Sequence, residues 1–570
     1  MTPYTLDRVR TQILDAVRRA VGDGADLTTA VPPPDVPADL AVPCFPLAAR
    51  LRTHPAAIAS DLAGAMRTDG ALAGVRADGG YLNFILDRET FAAGVMGDIA
   101  RMGDRYASSD LGAGQTVVID YSAPNIARPM SVGHLRSTVI GDAIYKLFAF
   151  GGYRSIGDNH LGDWGTQFGA YLYAFTTWVD VEAYQRDPIG ELLRLYVKFD
   201  AEARAQPDLR ERAREWSLKL ERGDPEARRL WAEFTGHSTA EFDRVYRLLD
   251  VGFDYTLGES FYEDKTQEVI DLAVRAGVAV EHEGALIVPL DDVGISTPLL
   301  LRRRDGATLY STRDLAAALF RIREFHPSRL IYVVGAQALY FSQVFATLRK
   351  LGFADVDYVH VDFGSITLPE GRMRTRRGTV IFLEDVLSEA VLRARRLVDE
   401  KNPELPDAER ADVARMVGVG AVKYADLSQN RVKDIAFDWD RMLALDGDSA
   451  PYLQYTYVRA RGILRKAPDG AAAGTYDPRA AQTDEEWRLL KHLARFPDVV
   501  RDAAQTYHPH LVCNYLFGLA QQFHAFYHDV PVLQAGDPGL RDSRLHLVSG
   551  VATVMRTGLA LLGIQVPERM

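Results

Sequence analysis

Residues 115–122, QTVVIDYS, are β-branched and apolar, and the chain continues as SAPNIARPMSVGHLRSTVIGDAI to residue 144. A short apolar run without alternation reads as a strand buried on both faces, as parallel sheets require. Pro124 and Pro129 exclude helix ahead of the turn, and Gly133 removes a side chain where the backbone bends. From there Leu135, Val139, Ile140, Ala143, Ile144, Leu147 and Phe148 keep helical spacing. Strand, turn and helix in that order commit this part of the chain to an α/β sheet. They also make a candidate phosphate cradle of the helix N-terminus. The cradle is neither a Walker A loop nor a GxGxxG turn, and no Gly-Lys pair occurs anywhere in the chain.

The rest of the chain divides around that sheet. Residues 1–110 read as a self-contained α+β unit. A helix there carries Val9, Ile13, Val17 and Ala20 on one stripe, and a Pro-rich stretch, a helical stretch to about Met66 and the strand GYLNFIL (80–86) follow. Strands return between 286 and 385, as RLIYVVGA (329–336) and VDYVHVDFG (356–364). The span from about 170 to 285 is charged and helical, and reads as an insertion into the sheet. From about 411 the chain turns helical to its end, with a link at 468–480, and Thr483 and Glu486 spaced as a capping box. A chain of 570 residues has room for about two to four such domains.

Composition excludes several classes. Cys44 and Cys513 are the only cysteines, too few for a disulfide framework or a zinc site. The N-terminus MTPYTLDRVRTQILDAV has no apolar signal core, and no run reaches the ~18 apolar residues of a membrane span. The expectation is therefore a cytoplasmic chain. A net charge of −11 gives no hint of nucleic acid, although binding needs only a local basic surface.

The cradle and seven further blocks resemble the class I aminoacyl-tRNA synthetases in their arginyl form. SAPNIARPMSVGHLRST looks like the first signature of that class, a His-x-Gly-His box here reading Ser131-Val132-Gly133-His134. NHLGDWGTQFG (159–169), LGESFYEDK (257–265), LYSTRDLAAAL (309–319), YVVGAQ (332–337), GRMRTRRGTVIFLED (371–385), AVKYADLSQNRVKDIAFDWDRML (421–443) and PYLQYTYVRA (451–460) follow in the family's order. Two departures stand out. Ser131 replaces the first His of the box, and the second signature reads Arg372-Met373-Arg374-Thr375-Arg376 in place of Lys-Met-Ser-Lys-Ser. Arg372 and Arg376 keep the basic character, because a guanidinium binds phosphate bidentately.

The resemblance implies a multi-domain α/β protein. Its parts would be an N-terminal tRNA-binding domain (1–110), a Rossmann-like parallel-sheet catalytic domain with the helical insertion (111–440), and an all-α anticodon-binding bundle (441–570). It implies ATP-dependent ligation of arginine to tRNA(Arg) through an arginyl-adenylate, by a monomer acting in translation. Pro124, Ser131, Gly133 and His134 would bind ATP together with Met373, Arg374 and Thr375, and Arg372 and Arg376 would face the pyrophosphate. Mg²⁺ would arrive with ATP, with no dedicated protein metal site. Asp314 would pair with the arginine guanidinium beside Tyr310, while Asp120, Asn125 and Gln337 would take the head group. His160, Asp163, Trp164 and Gln167 would line the same cleft. Tyr452, Tyr455, Arg459 and Met570 would meet the tRNA, since unpaired bases are held by aromatic stacking with nearby cations. The competing readings are a synthetase for another amino acid, against which Asp314 and the lack of a Cys/His set argue, and a silent paralogue that only binds.

Overall fold

The computed structural model describes residues 3–22, 26–33, 35–165, 167–367, 381–468, 475–480 and 483–570. The second-signature residues Arg372, Met373, Arg374, Thr375 and Arg376 lie outside the described residues, as do residues 469–474 of the link at 468–480.

Near the N-terminus, β1 (Leu40–Pro43), β2 (Leu72–Asp78) and β3 (Tyr81–Leu86) form an antiparallel sheet in the order β1-β3-β2. Helix Thr5–Val21 buries Val9, Ile13 and Val17, the stripe that the spacing anticipates. β2 is a strand that its mixed sequence LAGVRAD did not announce. It pairs with β3 across Gly79 and Gly80, and Gly79 has φ +52° in the turn.

The central sheet begins with β4 (Thr116–Asp120), β5 (Arg154–Asn159) and the short β6 (Tyr255–Thr256). After a separate antiparallel sheet of β7 (Val280–His282), β8 (Ala285–Val288) and β9 (Leu299–Arg302), it is completed by β10 (Arg329–Val333) and β11 (Asp357–Val361). All its pairings are parallel, in the order β11-β10-β4-β5-β6. Period-two alternation divides β4 between two cores: Val117 and Ile119 join the one shared with the N-terminal unit and the C-terminal helices, while Val118 joins the one that includes β8, β9 and helix Tyr310–Phe325. The chain leaves β4 for β5 on one side and returns as β10 on the other. The C-terminal ends of these strands therefore flank a topological switch point, where open α/β sheets bind ligands.

The insertion is more limited than its charge pattern suggested. Helices run from Gln167 to Leu249, but β6 returns to the sheet at Tyr255, and β7 precedes residue 285. The C-terminal helices likewise start earlier than 411, with Leu383–Lys401. Between them and the sheet, β12 (Ile366–Thr367) pairs with β13 (Ile435–Ala436). The capping box forms as its spacing indicates: Glu486 N donates to Thr483 Oγ1 (3.2 Å) and Thr483 N to Glu486 Oε2 (2.8 Å). The last helix, Pro538–Leu561, ends just before Gly563, which has φ +67°. Among the described residues no helix is long and apolar enough to cross a membrane, and Cys44 and Cys513 are free and buried.

Candidate functional site

The turn after β4 is held in a costly conformation. Ser122, Ala123 and Ala127, none of them glycine, have φ of +74°, +47° and +59°. Such residues cost about 1–3 kcal/mol each and persist where their surroundings over-determine them. Here the surroundings are hydrogen bonds. Ser122 N donates to Ser137 Oγ (2.9 Å), and the Ser122 hydroxyl lies 2.8 Å from both Thr138 Oγ1 and Tyr246 Oη. Ala123 N donates to Asn159 Oδ1 (3.1 Å) and Ala127 N to Ser238 Oγ (2.8 Å). Asn125 is exposed at the crest of this turn. Its side chain lies over Gly162, where an added Cβ would meet Asn125 Oδ1 at 2.1 Å.

Helix Gly133–Phe150 starts at the cradle, and Gly133 is exposed there. Nδ1 of His134 lies 3.1 Å from the Ser131 amide nitrogen and 3.1 Å from the Ser131 hydroxyl. An amide can only donate, so Nδ1 accepts, and the neutral ring carries its proton on Nε2. Burial lowers the His134 pKa, the Ser131 backbone opposes that, and the charge of Arg128 adds to the lowering. Ser131 thus acts first on His134. The residues just after the second signature are fixed to the same place, with Val132 N donating to Ile381 O (3.1 Å) and Leu383 N to Met130 O (2.8 Å).

Across the switch point lies an ionic cluster. Arg321, with a side chain 1% exposed, places Nη2 2.8 Å from Asp120 Oδ2 and 2.9 Å from Asp158 Oδ2. Asp120, the last residue of β4, stands in register with Asp158, the last but one of β5, which is why one guanidinium reaches both. Burial raises the Asp158 pKa; Arg321 and His160 lower it, and Asp120 raises it further. His160, one residue beyond β5, has Nδ1 3.0 Å from Leu257 O and Nε2 3.6 Å from Asp314 Oδ1. Asp314 is partly exposed at the start of the second turn of helix Tyr310–Phe325, and its Oδ2 accepts from the Tyr340 hydroxyl. Burial, then the Asp314 charge, drives the Tyr340 pKa up. Tyr310 is exposed at the helix start, its ring centroid 5.1 Å from that of Tyr340.

These positions separate residues that the sequence had grouped. Asp120 is buried with Arg321 and acts electrostatically on His160, whereas Asn125 and Gln337 are exposed. Asp163 is buried, and its two oxygens are taken up by Ser260 N (2.8 Å) and Ser260 Oγ (2.6 Å), both of which donate to it. Trp164 is in the core, edge-on to Trp231 with centroids 5.7 Å apart. Gln167 opens the helix Gln167–Trp178. Arg321, Asp158 and Tyr340 escaped the sequence reading, yet a signal existed. Arg321 stands seven residues after Asp314 in LAAALFRIREF, on the same helical face and among apolar neighbours. A charge at such a position needs a buried partner.

In the C-terminal bundle, Tyr455 is exposed and parallel to His524, with centroids 6.4 Å apart. Tyr452 packs edgewise on Phe517, and the Arg459 guanidinium covers the Tyr527 ring at 4.9 Å. Met570 is partly buried against the core. Tyr457 belongs to the core, its hydroxyl donating to Glu568 Oε1 (2.8 Å). Among the described residues no group of three or more His, Cys, Asp or Glu side chains is placed to hold a metal ion.

Comparison with known proteins covers almost the whole chain. Residues 99–439 match the family described as tRNA synthetases class I (R), catalytic domain. Residues 7–86 match the arginyl tRNA synthetase N terminal domain, and 453–570 the DALR anticodon binding domain. The arginine–tRNA ligase of Chloroflexus aggregans is 46% identical over the full length of both chains. That of Clostridium botulinum is 42% identical over 95% of each. The Thermus thermophilus arginyl-tRNA synthetase structure superposes with a TM-score of 0.82 at 28% identity, covering 98% of this chain and 100% of that one. The Plasmodium falciparum arginyl-tRNA synthetase shares the fold, with a TM-score of 0.84 at 23% identity and full coverage of both chains.

Proposed function

The chain belongs to the class I arginyl-tRNA synthetases and ligates L-arginine to tRNA(Arg) with ATP, through an arginyl-adenylate, and we propose that the crevice at the β4 switch point is where both steps occur. The observation that carries this placement is the pair of acidic side chains, Asp120 and Asp314, facing His160 beside a helix N-terminus that has a free backbone approach at Gly133.

In the first step the substrate carboxylate attacks the α-phosphate and pyrophosphate leaves. The protein supplies no nucleophile. It aligns the two reactants and stabilises the negative charge that builds on phosphorus. Gly133 lets the nucleotide approach the backbone, the N-terminus of helix Gly133–Phe150 adds its partial positive charge, and His134 donates Nε2–H to phosphate. Pro124 and Ser131 border the same cradle. Arg372 and Arg376, flanked by Met373, Arg374 and Thr375, face the pyrophosphate. The hydrogen bonds from Val132 to Ile381 and from Leu383 to Met130 support this reading, since they fix the chain just after that stretch against the cradle. Mg²⁺ enters with ATP, neutralising phosphate oxygens.

Asp314 pairs with the arginine guanidinium beneath Tyr310, and Asp120 shares the same acidic floor. Asn125 and Gln337, exposed at the mouth, take the ammonium and carboxylate. A rival without a guanidinium leaves Asp314 unpaired, which is how a polar pocket rejects a substrate. The adenylate then passes its arginyl group to a ribose hydroxyl at the tRNA 3′ end. Residues 441–570 grip the anticodon loop, with Tyr455 and Arg459 as the exposed stacking and cationic groups, and residues 1–110 touch the tRNA body. The chain acts as a cytoplasmic monomer. The test is ATP–pyrophosphate exchange with each amino acid, with and without total tRNA. Exchange specific to arginine and lost in D314N supports the assignment. Full exchange in D314N refutes the guanidinium site.

A further inference from the structure

We propose that His160 completes the guanidinium subsite as a specificity-determining acceptor: its Nε2 takes a substrate N–H that Asp314 leaves over, and the ring surrenders a proton to do so. The proposal rests on the assignment of Asp314 as the guanidinium partner.

Geometry fixes the roles of the two ring nitrogens. Nδ1 lies 3.0 Å from Leu257 O, and a carbonyl only accepts, so Nδ1 carries a proton in either ionisation state. Nε2 is therefore the atom that gains or loses one. It is buried without a hydrogen-bond partner, and Asp314 Oδ1 stands 3.6 Å away, an ion-pair contact rather than a hydrogen bond. A neutral ring would aim a lone pair at that carboxylate, so the empty pocket favours the imidazolium.

The groups around the ring agree. Asp120 and Asp158 approach from the strand ends and Asp163 from its own loop, while Glu259 and Tyr262 come from the turn 259–265. Asp314 and Arg321 come from helix Tyr310–Phe325, and Arg313 on that helix is already paired with Glu259 at 2.8 Å. Tyr332 and Tyr340 lie behind Asp314. Burial pushes the His160 pKa down, but Asp314 and Asp120 outweigh it against the opposition of Arg321, and lift it to about 9.

A guanidinium entering the fork of Asp314 brings a second cation to the place the imidazolium already neutralises. The ring then releases its Nε2 proton to solvent, and the freed lone pair accepts one of the five guanidinium N–H groups. A terminal ammonium has no planar fork to span Asp314 and Nε2 together, so His160 adds to the preference for arginine over lysine.

Titration calorimetry of the full-length protein with L-arginine at pH 7.5, in phosphate and in Tris, counts the protons exchanged. The expected result is about one proton released per arginine bound, with affinity rising about tenfold per pH unit from pH 7 to 8.5. H160Q, which keeps an acceptor, should bind with no proton release and an affinity flat in pH. H160L, which keeps bulk without an acceptor, should narrow the arginine-over-lysine ratio. Arginine binding to the wild-type protein without proton release, undiminished release in H160Q, or an unchanged ratio in H160L overturns the proposal. Failure of arginine to bind, or undiminished binding to D314N, overturns instead the guanidinium-site assignment beneath it. The wild-type measurement stands whether or not the variants fold.

Discussion

Replacing Arg321 by Met tests the floor of the crevice and the stability of the sheet together. The guanidinium is 1% exposed and lies 2.8 Å from Asp120 and 2.9 Å from Asp158, whose side chains are 8% and 0% exposed. Breaking a buried ionic set from one side costs about 3–5 kcal/mol, because the charges left behind stay buried. In R321M two carboxylates on adjacent strands would face each other, and one must protonate; burial already raises Asp158 toward that state. R321M should therefore lose about 3–5 kcal/mol in urea unfolding at pH 7 and recover part of it at pH 5, where a carboxyl protonates more readily. R321K keeps the charge without the two-armed fork and should lose roughly 1–3 kcal/mol. In exchange assays R321K should raise the arginine KM more than it lowers kcat, since Asp120 loses its orientation while the ATP cradle is untouched. Adding D158N to R321M should restore stability, as only one buried carboxylate then remains. The reasoning is refuted if R321M unfolds within about 1 kcal/mol of the wild type, or if D158N makes R321M worse.

Three further outcomes are expected. G162A places a Cβ 2.1 Å from Asn125 Oδ1. The exposed amide can swing aside, so unfolding should change by less than about 1 kcal/mol while arginine-dependent exchange falls about tenfold or more, and unchanged exchange would remove Asn125 from the site. S131A leaves the Ser131 amide on His134 Nδ1, so single-turnover adenylation should stay within about tenfold of wild type, whereas H134A should lose about 10²–10³-fold; equal losses would make the Ser131 hydroxyl a direct ATP ligand. His492 is held neutral, its Nε2 3.0 Å from Tyr515 O and its ring stacked on Tyr515 at 4.4 Å. Burial, against the Tyr515 carbonyl, lowers its pKa to about 4. The unfolded chain binds the extra proton first, so stability should fall as pH drops from 6.5 towards 4, by up to about 3 kcal/mol, and H492Q should flatten that slope in thermal melts.

What was legible in the sequence followed from local physics. The strand 115–122 and the helix after Gly133 could be read because a doubly buried strand is apolar throughout and a core helix repeats at 3.6 residues. The capping box at Thr483 was legible because both of its hydrogen bonds are made within four residues. Candidate site residues could be named from the order of family blocks, yet their grouping could not. Whether Asp120 sits beside Asn125 or beside His160 depends on which way strand-end side chains turn and on what Arg321 demands. That demand is made across 163 residues by a side chain that reads as one charge in an apolar helix. β6 was missed because two residues cannot display a period, and β2 because an edge strand with only Leu72 fully buried shows no apolar alternation.

The same buried-charge chemistry links the ATP cradle to the far end of the chain. Arg136, in the first turn of the signature helix, donates Nε to Asp426 Oδ2 (3.1 Å) and Nη1 to Lys433 O (2.9 Å). Two turns on, Asp142 faces Lys423 at 3.8 Å, and Lys423 donates to Gly563 O (2.7 Å) where the last helix closes. A Cβ at Gly563 would meet Asp142 Oδ2 at 2.6 Å and Lys423 Nζ at 2.8 Å, so only glycine lets the chain end pass this close. Apolar residues of the same volume would hold such joints at least as strongly, since burying ions costs about as much as their attraction returns. Apolar packing, though, accepts more than one register, whereas a buried ion pair accepts one. Arg136 and Lys423 therefore fix how the C-terminal helices seat against the helix that carries His134, so that on the proposed function an anticodon gripped by those helices would stand at a set position from the adenylate.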